Sequence, residues 1–188
     1  MVKGPAAIKY GPLTTGGALQ LFSTPVPEVE GRVSGRADLL GGSYGGRRAH
    51  GAVGGWAEPT GVVQVGAMAE GLFERSDGFK DLDSGGDTGF EITDLVFKLG
   101  LRSAPGAMMP QSFELKHQRY DEVSDETYVG LTLADFRVRP YRRYRGSQAD
   151  RMDVEHTTWQ ATHRIEVADW LDVTTLAYRT ETARASGC

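Results

Sequence analysis

Hydrophobic and polar residues alternate with a period of two along most of the chain beyond residue 31. In the first such segment, Arg32, Ser34, Arg36 and Asp38 alternate with Val33, Gly35, Ala37 and Leu39. A period of two indicates a β-strand with one polar and one apolar face. Seven strands are predicted in this way, at residues 32–39, 48–57, 62–75, 90–102, 112–121, 154–167 and 171–182. The pattern predicts an all-β chain whose strands run antiparallel in up-and-down order.

The lengths of the strands and of their connections change this picture. Most predicted strands have about 10 to 14 residues, whereas strands of globular proteins most often have about 5 to 6. The third strand is followed by a long polar connection and the fourth by a short turn. The fifth strand is followed by a very long connection (122–153) and the sixth by a tight turn. Outer-membrane barrels sort their loops by length in this way, and Phe73, Phe90 and Trp159 near strand ends are compatible with interfacial aromatic girdles. A soluble sheet with one buried face gives the same alternation, so both interpretations stay open on pattern alone.

Composition and net charge further limit the classes of function that the sequence supports. The chain of 188 residues has 25 glycines and a net charge of −4, which is too mild to indicate nucleic acid as a partner. No apolar stretch approaches the roughly 18 to 20 residues of a transmembrane helix. Cys188 is the single cysteine and forms no disulfide within the chain.

No motif in the sequence indicates an enzyme or a resident metal or cofactor. The four histidines lack metal-ligand spacing, and neither a Gly-x-Ser-x-Gly motif nor a phosphate loop is present. The acidic run at residues 81–87 resembles a calcium loop but lacks its twelve-residue spacing and closing glutamate. The stretch RPYRRYRG at residues 139–146 could stack on RNA bases, but the neighbouring acidic residues argue against this.

The opening stretch KYGPLTTGGALQLFSTPVP, residues 9–27, resembles the end of the plug domain of TonB-dependent outer-membrane receptors. In that family a Tyr-Gly turn, a Gly-Gly pair and an apolar strand close the plug before the first barrel strand. The matching residues are Tyr10, Gly11, Pro12, Gly16, Gly17, Ala18, Leu19, Leu21, Ser23 and Thr24. Downstream, SDGFKD, SDETYVGLTLADF, RPYRRY and ADRMDVEH are similar to the ferric citrate receptor branch.

The resemblance implies that residues 1–27 are the C-terminal end of a plug domain and residues 28–188 about the first seven strands of the barrel. Receptors of this family have about 22 strands, a signal peptide, a complete plug and a TonB box, so the chain is expected to be a fragment of a longer receptor. The implied fold is an incomplete transmembrane β-barrel with a short plug remnant. The implied location is the bacterial outer membrane, with its lipid and lipopolysaccharide as partners.

The implied function is TonB-dependent uptake of a ferric siderophore or ferric citrate, with the TonB complex acting through the missing N-terminal part. Arginine forks hold carboxylate-type oxygens by bidentate, charge-assisted bonds. We therefore predict ligand contact by side chains of the longest loop, namely Arg137, Arg139, Arg142, Arg143, Arg145 and Gln148. Alternatively, these arginines pair with Asp135, Asp150 and Asp153 or with lipopolysaccharide phosphates.

The resemblance also assigns roles to the strands. Lumen-facing side chains are expected to pair across strands or with the plug; they are Arg32, Arg36, Glu70, Lys98, Glu114 and Lys116. The alternative interpretation of the sequence is a soluble antiparallel β-sandwich that binds its partner through a basic recognition loop.

Overall fold

The computed structural model describes residues 2–3, 17–18, 23–28, 32–58 and 60–187. Most of the stretch that resembles a plug end, including Tyr10, Gly11, Pro12 and Gly16, lies outside the described residues. Of that stretch the structure describes Gly17, Ala18 and residues 23–27. Among the described residues, no helix has the length and apolar character needed to cross a membrane.

The described residues are mostly antiparallel β-sheet, which confirms the predicted all-β class. The elements are β1 (Val2–Lys3), β2 (Gly17–Ala18), β3 (Ser34–Gly41), β4 (Arg47–Ala57), β5 (Val63–Ser76), β6 (Asp81–Leu82), β7 (Phe90–Ser103), β8 (Gln111–Ser124), α1 (Leu133–Val138), β9 (Arg142–Arg143), β10 (Arg151–Ala168) and β11 (Leu171–Gly187). Seven strands form one sheet in the order β11-β10-β8-β7-β5-β4-β3. Every neighbouring pair in this sheet is antiparallel. Within the described chain the sheet is open, and β3 and β11 are its edges.

The strands next to the longest loop extend further than their alternation predicted. β8 continues to Ser124 and β10 begins at Arg151, because Met152 pairs with Ser124 across the two strands. The added residues are 122–124 and 151–153, and each of these stretches has a single apolar side chain, Val123 or Met152. Three residues are too few for alternation to indicate a strand, and pairing with the neighbouring strands decides their conformation instead.

The two faces of the sheet have opposite character, and the polar face is the less exposed one. On β7, Phe97, Leu99 and Leu101 lie on what we call the outer face, while Lys98 lies on the inner face. Leu99 is 59% exposed and Lys98 only 4%. The predicted assignment of alternating residues to two faces is confirmed. What the alternation could not indicate is which of the two faces meets solvent.

Residues 23–28 cross the inner face and provide its small apolar core. Val26 is 4% exposed and packs with Met68 and Val96. The Thr24 hydroxyl donates to a Glu70 carboxylate oxygen at 2.9 Å. At the other end of the segment, Arg102 Nη1 donates to Glu28 Oε1 at 2.8 Å. This segment is thus fixed to the sheet by one buried apolar residue between two polar contacts.

Trp56 lies flat against two glycines that pair across the neighbouring strands. Gly66 pairs with both Trp56 and Gly100, and a Cβ atom at either glycine would lie within 2.7 Å of the Trp56 ring. The guanidinium of Arg102 lies over the indole, 4.0 Å from its centroid. The two glycines, which have no side chain, leave the space that the indole occupies against the sheet.

Replacing Gly66 or Gly100 with alanine is expected to destabilise the sheet by about 1–3 kcal/mol, because the added methyl group displaces the Trp56 ring. The measurement is the free energy of unfolding of the chain in urea. Gly51→Ala is the matched control, since a Cβ there would have ordinary contacts at 3.6 Å. Equal effects of all three substitutions would show that the Trp56 contact is not the cause.

Candidate functional site

From β5 onward the connections between strands are sorted by length onto the two ends of the sheet, as the spacing predicted. Residues 42–46, 77–89 and 125–150 lie at one end, which we call the loop end. Residues 104–110 and 169–170 form short turns at the opposite end, where β4 ends and β5 begins. The six predicted ligand-contact residues, 137 to 148, all belong to the longest connection of the loop end.

The two long loops are joined to each other by backbone hydrogen bonds. β6, from the first loop, pairs in parallel with β9, from the second. The Asp81 amide donates to the Tyr141 carbonyl at 2.7 Å, and the Asp83 amide donates to the Arg143 carbonyl at 2.9 Å. The loops therefore form one unit, although about sixty residues separate their contact points along the chain.

Arg142 reinforces this junction with its side chain. Its Nε donates to both Asp83 carboxylate oxygens at 2.9 and 3.0 Å, and its Nη1 donates to Asp135 at 2.8 Å. The hydrogen bond from Arg142 lowers the pKa of the Asp83 carboxyl. The pKa of Asp135 is also lowered, first by hydrogen bonds from Tyr144 and Thr132 and then by the charge of Arg142. Two carboxylates thus neutralise the Arg142 guanidinium.

Arg143 is buried inside the longest loop, where it is only 2% exposed. Its guanidinium donates to the Ser147 hydroxyl at 3.1 Å, to the Asp150 carbonyl at 3.1 Å, and to the carbonyls of Ser147 and Asp125. Such a side chain satisfies loop carbonyls that would otherwise be unpaired. In this geometry Arg143 orders the loop, and its contact with a ligand stays a prediction.

The other four predicted contact residues are exposed. Arg139 reaches Asp83 at 3.5 Å, whereas Arg137 and Arg145 form no ion pair with any described residue. Gln148 also lies at the surface. Residues 77–89 and 125–150 together hold six basic and eight acidic side chains. The loop end therefore offers only a few free cations, and it is not a basic patch.

The alternative role for the arginines is partly observed. Arg142 pairs with Asp135 as that alternative expected, but its second partner, Asp83, comes from the other loop. Asp150 accepts from Arg143 through its carbonyl, and Asp153 pairs with Arg151 of its own strand at 2.9 Å. Asp83 could not be identified from sequence spacing, because only the β6–β9 pairing brings it next to Arg142.

Sequence reasoning also missed an aromatic cluster at the loop end. Phe79 makes edge contacts with Tyr44 and Tyr141, with ring centroids 6.4 and 6.1 Å apart. Each of the three residues comes from a different loop and is more than half exposed. Tyr44 has a φ of 57°, a left-handed conformation that is unusual for a residue other than glycine. No single segment carries this signal, since the cluster forms only when the three loops meet.

The inner face contains a row of paired polar side chains. His50 Nε2 lies 2.8 Å from Glu70, Lys98 Nζ lies 3.3 Å from Glu114, and Gln118 donates to Asp94 at 2.9 Å. The expected cross-strand pairing is observed for Glu70, Lys98 and Glu114, whereas Arg36 pairs within its own strand with Asp38. Lys116 lines a cavity of about 390 Å³ beneath residues 23 and 24. Within the described residues, no group of histidine, cysteine and acidic side chains could hold a metal ion.

No protein-family model, curated protein or solved structure matches the chain. The receptor family is therefore an expectation that rests on the sequence motifs, and the physical character of the sheet and loops has to support any functional proposal.

Replacing Asp83 with asparagine is expected to loosen the junction of the two loops, because it removes the negative charge that Arg142 and Arg139 share. Amide hydrogen exchange in β6 and β9 should accelerate by about fivefold, the upper range for an exposed ion pair. Asp87→Asn is the matched control, since Asp87 lies in the same loop but pairs with Arg75 of β5.

The same junction should depend on pH in a defined direction. Folding lowers the pKa of Asp83 below its ordinary value of 3.8. The ionised Asp83 carboxylate therefore stabilises the loop junction fully above this value. This stabilisation is lost as the pH falls through the lower pKa that Asp83 has in the folded state. In the Asp83→Asn variant, the rate of amide hydrogen exchange in β6, corrected for its intrinsic pH dependence, should change less over this pH range than it does in the unsubstituted chain. An unchanged pH profile would contradict the assigned role of Asp83.

Proposed function

We propose that the chain is part of the wall of an outer-membrane β-barrel receptor for TonB-dependent uptake of a ferric chelate. The observation that carries the proposal is the polarity of the sheet, whose apolar face is the exposed one. In this proposal residues 1–27 are the end of the plug and residues 28–188 are barrel strands. The long loops lie at the extracellular end and the short turns at the periplasmic end.

The outer face is poorly suited to water. Phe97, Leu99 and Leu101 of β7 stand beside Val65 and Phe113 of the neighbouring strands, and each is more than 40% exposed. Soluble proteins rarely expose a contiguous apolar surface of this kind. Acyl chains of a bilayer would cover such a surface without requiring any polar group, whereas the buried Lys98 and Gln64 require the polar interior that a barrel lumen provides.

The height of the uncharged outward row fits this assignment. On β7 this row runs from Thr93 to Ser103, with Leu95 to Leu101 as its apolar centre, and at about 3.3 Å per residue it spans roughly 33 Å along the strand. Strands of outer-membrane barrels are tilted by about 35–45°, so the row has a height of about 25 Å, which is the height of the apolar band in these barrels. Towards the loop end the outward side chains become charged, as at Glu91, Arg119 and Asp121. The band thus has a polar border on the side that faces the long loops.

Residues 23–28 support the plug assignment on physical grounds. They cover the inner face and bury Val26 there, and they are tied to it at Glu70 and Arg102. A segment that leaves a plug inside a lumen has to cross the inner wall before it joins the first strand. The role of TonB, acting through the preceding part of the plug, follows from the family resemblance.

The alternative of a soluble β-sandwich would require a second layer over the outer face. Within the residues that the structure describes, the only large sheet is the seven-stranded one, and its outer face is uncovered. The exposed apolar band therefore favours the membrane proposal over the sandwich.

The tryptophans allow a direct test of which face meets lipid. Trp159 lies on the outer face in the row of Phe97 and His117, and Trp56 lies on the inner face. In vesicles of lipids brominated on their acyl chains, a variant that retains only Trp159 should be strongly quenched. A variant that retains only Trp56 should be quenched much less. Equal quenching of the two variants would contradict the proposed orientation.

Uptake by the full receptor tests the ligand role of the loop arginines. Arg137→Ala with Arg145→Ala removes two exposed cations that form no ion pair with a described residue, so the affinity for a ferric chelate should fall by about tenfold or more, as expected for lost charge-assisted hydrogen bonds. Binding and uptake of radioactive iron are the measurements. Arg164→Ala is the control, because Arg164 pairs with Asp172 at the opposite end of the sheet. Unchanged affinity would remove both arginines from the site.

A further inference from the structure

One carboxylate oxygen on the inner face joins residues 23–28 to a histidine. The Thr24 hydroxyl donates to Glu70 Oε1 at 2.9 Å, and His50 Nε2 lies 2.8 Å from the same oxygen. Any change in the orientation of the Glu70 carboxylate therefore affects both contacts. The side chains of His50 and Glu70 are only 25% and 15% exposed, so their attraction is screened less than that of a fully exposed pair.

The imidazole of His50 has a second carboxylate at its other nitrogen. Asp38 lies directly opposite His50 in the β3–β4 ladder, and its Oδ2 is 3.5 Å from His50 Nδ1. Arg36 holds the same Asp38 oxygen at 2.7 Å. A neutral imidazole has one N–H group, whereas the charged form has two. Only the charged form of His50 can therefore donate to Asp38 and Glu70 at the same time.

The other charged groups around His50 do not replace its contact with Glu70. They are Arg48 on the same strand, Glu74 on β5, Asp94 on β7 and Lys116 on β8. The guanidinium of Arg48 is directed to Glu74, at 3.9 Å, and both Asp94 oxygens accept from Gln118. Among the residues that the structure describes, His50 is the only basic side chain within 4 Å of the Glu70 carboxylate. The charge next to Glu70 thus depends on the protonation of one imidazole.

The opposite end of residues 23–28 is held by groups that keep their charge. Arg102 Nη1 donates to Glu28 Oε1 at 2.8 Å, and Val26 lies buried between this ion pair and Thr24. Histidine is the side chain that ordinarily changes its charge between about pH 5 and 8, whereas arginine and glutamate ordinarily do not. A change of pH in this range therefore acts on only one end of the segment.

We propose that His50 is a pH-sensitive latch, which holds residues 23 and 24 to the sheet when its imidazole is charged. On loss of the proton, the hydrogen bond to Glu70 is no longer charge-assisted and is about half as strong. One of the two carboxylates then also faces a ring nitrogen that carries no proton. The attachment of Thr24 is therefore strongest at acidic pH, and it weakens as the pH rises through the range in which His50 loses its proton. Glu28 stays at Arg102 throughout.

The experiment follows the Thr24 methyl group of the full chain by NMR between about pH 5.5 and 8.5, a range that spans histidine titration. The ratio of detached to attached Thr24 should rise by about fivefold, the upper range for an ion pair of this exposure. The ring signals of His50 report its protonation in the same samples. In His50→Gln, which keeps a neutral donor, the ratio should stay at its high-pH value. His163→Gln is the matched control, since His163 contacts Gln111 at the turn end of the sheet.

Two results would overturn the latch: a Thr24 ratio that does not change with pH in the unsubstituted chain, or an unchanged pH dependence in His50→Gln. Thr24→Val gives a second test that leaves the sheet intact, because it removes only the hydroxyl that reaches Glu70. Its methyl signals should show residues 23 and 24 detached at every pH. The latch does not depend on the receptor proposal, since lipid quenching of Trp159 reports the orientation of the sheet whatever the pH dependence of Thr24.

Discussion

The antiparallel ladder fixes which side chains share a face, and the other features of the molecule depend on this register. Between β5 and β7 the pairs run without interruption from Val63 and Ser103 to Ser76 and Phe90. Because successive residues point to opposite faces, Lys98 lies inward wherever Leu99 lies outward. A shift by one residue would place Lys98 among the outward apolar residues and Leu99 against Glu114. The opposite character of the two faces therefore holds the register, and the register in turn positions residues 23–28 and the loops.

Charged residues in this molecule mainly hold the structure together. Arg142 joins two loops, Arg143 satisfies carbonyls inside one loop, and Arg102 ties the 23–28 segment to the wall while it stacks on Trp56. In each case an arginine contacts several partners at once through its fork of donors. If ligand recognition occurs at the loop end, it therefore depends on exposed aromatic residues and on the few cations that have no structural partner.

Much of the sheet could be predicted from the sequence because alternation over a long strand is a strong signal. The order of the strands, the residues on each face and the two classes of loop all follow from it. The ends of β8 and β10 could not be predicted, since the three residues added at each end are too few to show alternation. The loop site was only partly predictable: the arginines of residues 137–145 are evident in the sequence, but Asp83 and Phe79 lie in another loop. Their proximity depends on the pairing of β6 with β9, each of which has only two residues.

The up-and-down order of the large sheet has a consequence for how the chain folds. Each strand pairs with the large-sheet strand that precedes it in the sequence, so among the described residues no strand of this sheet has to pair past an intervening one. β10 and β11 are joined by only two residues, so this hairpin closes at small entropic cost. Such a sheet can grow from any hairpin by addition of neighbouring strands, and each intermediate exposes only its two outermost strands to wrong pairing.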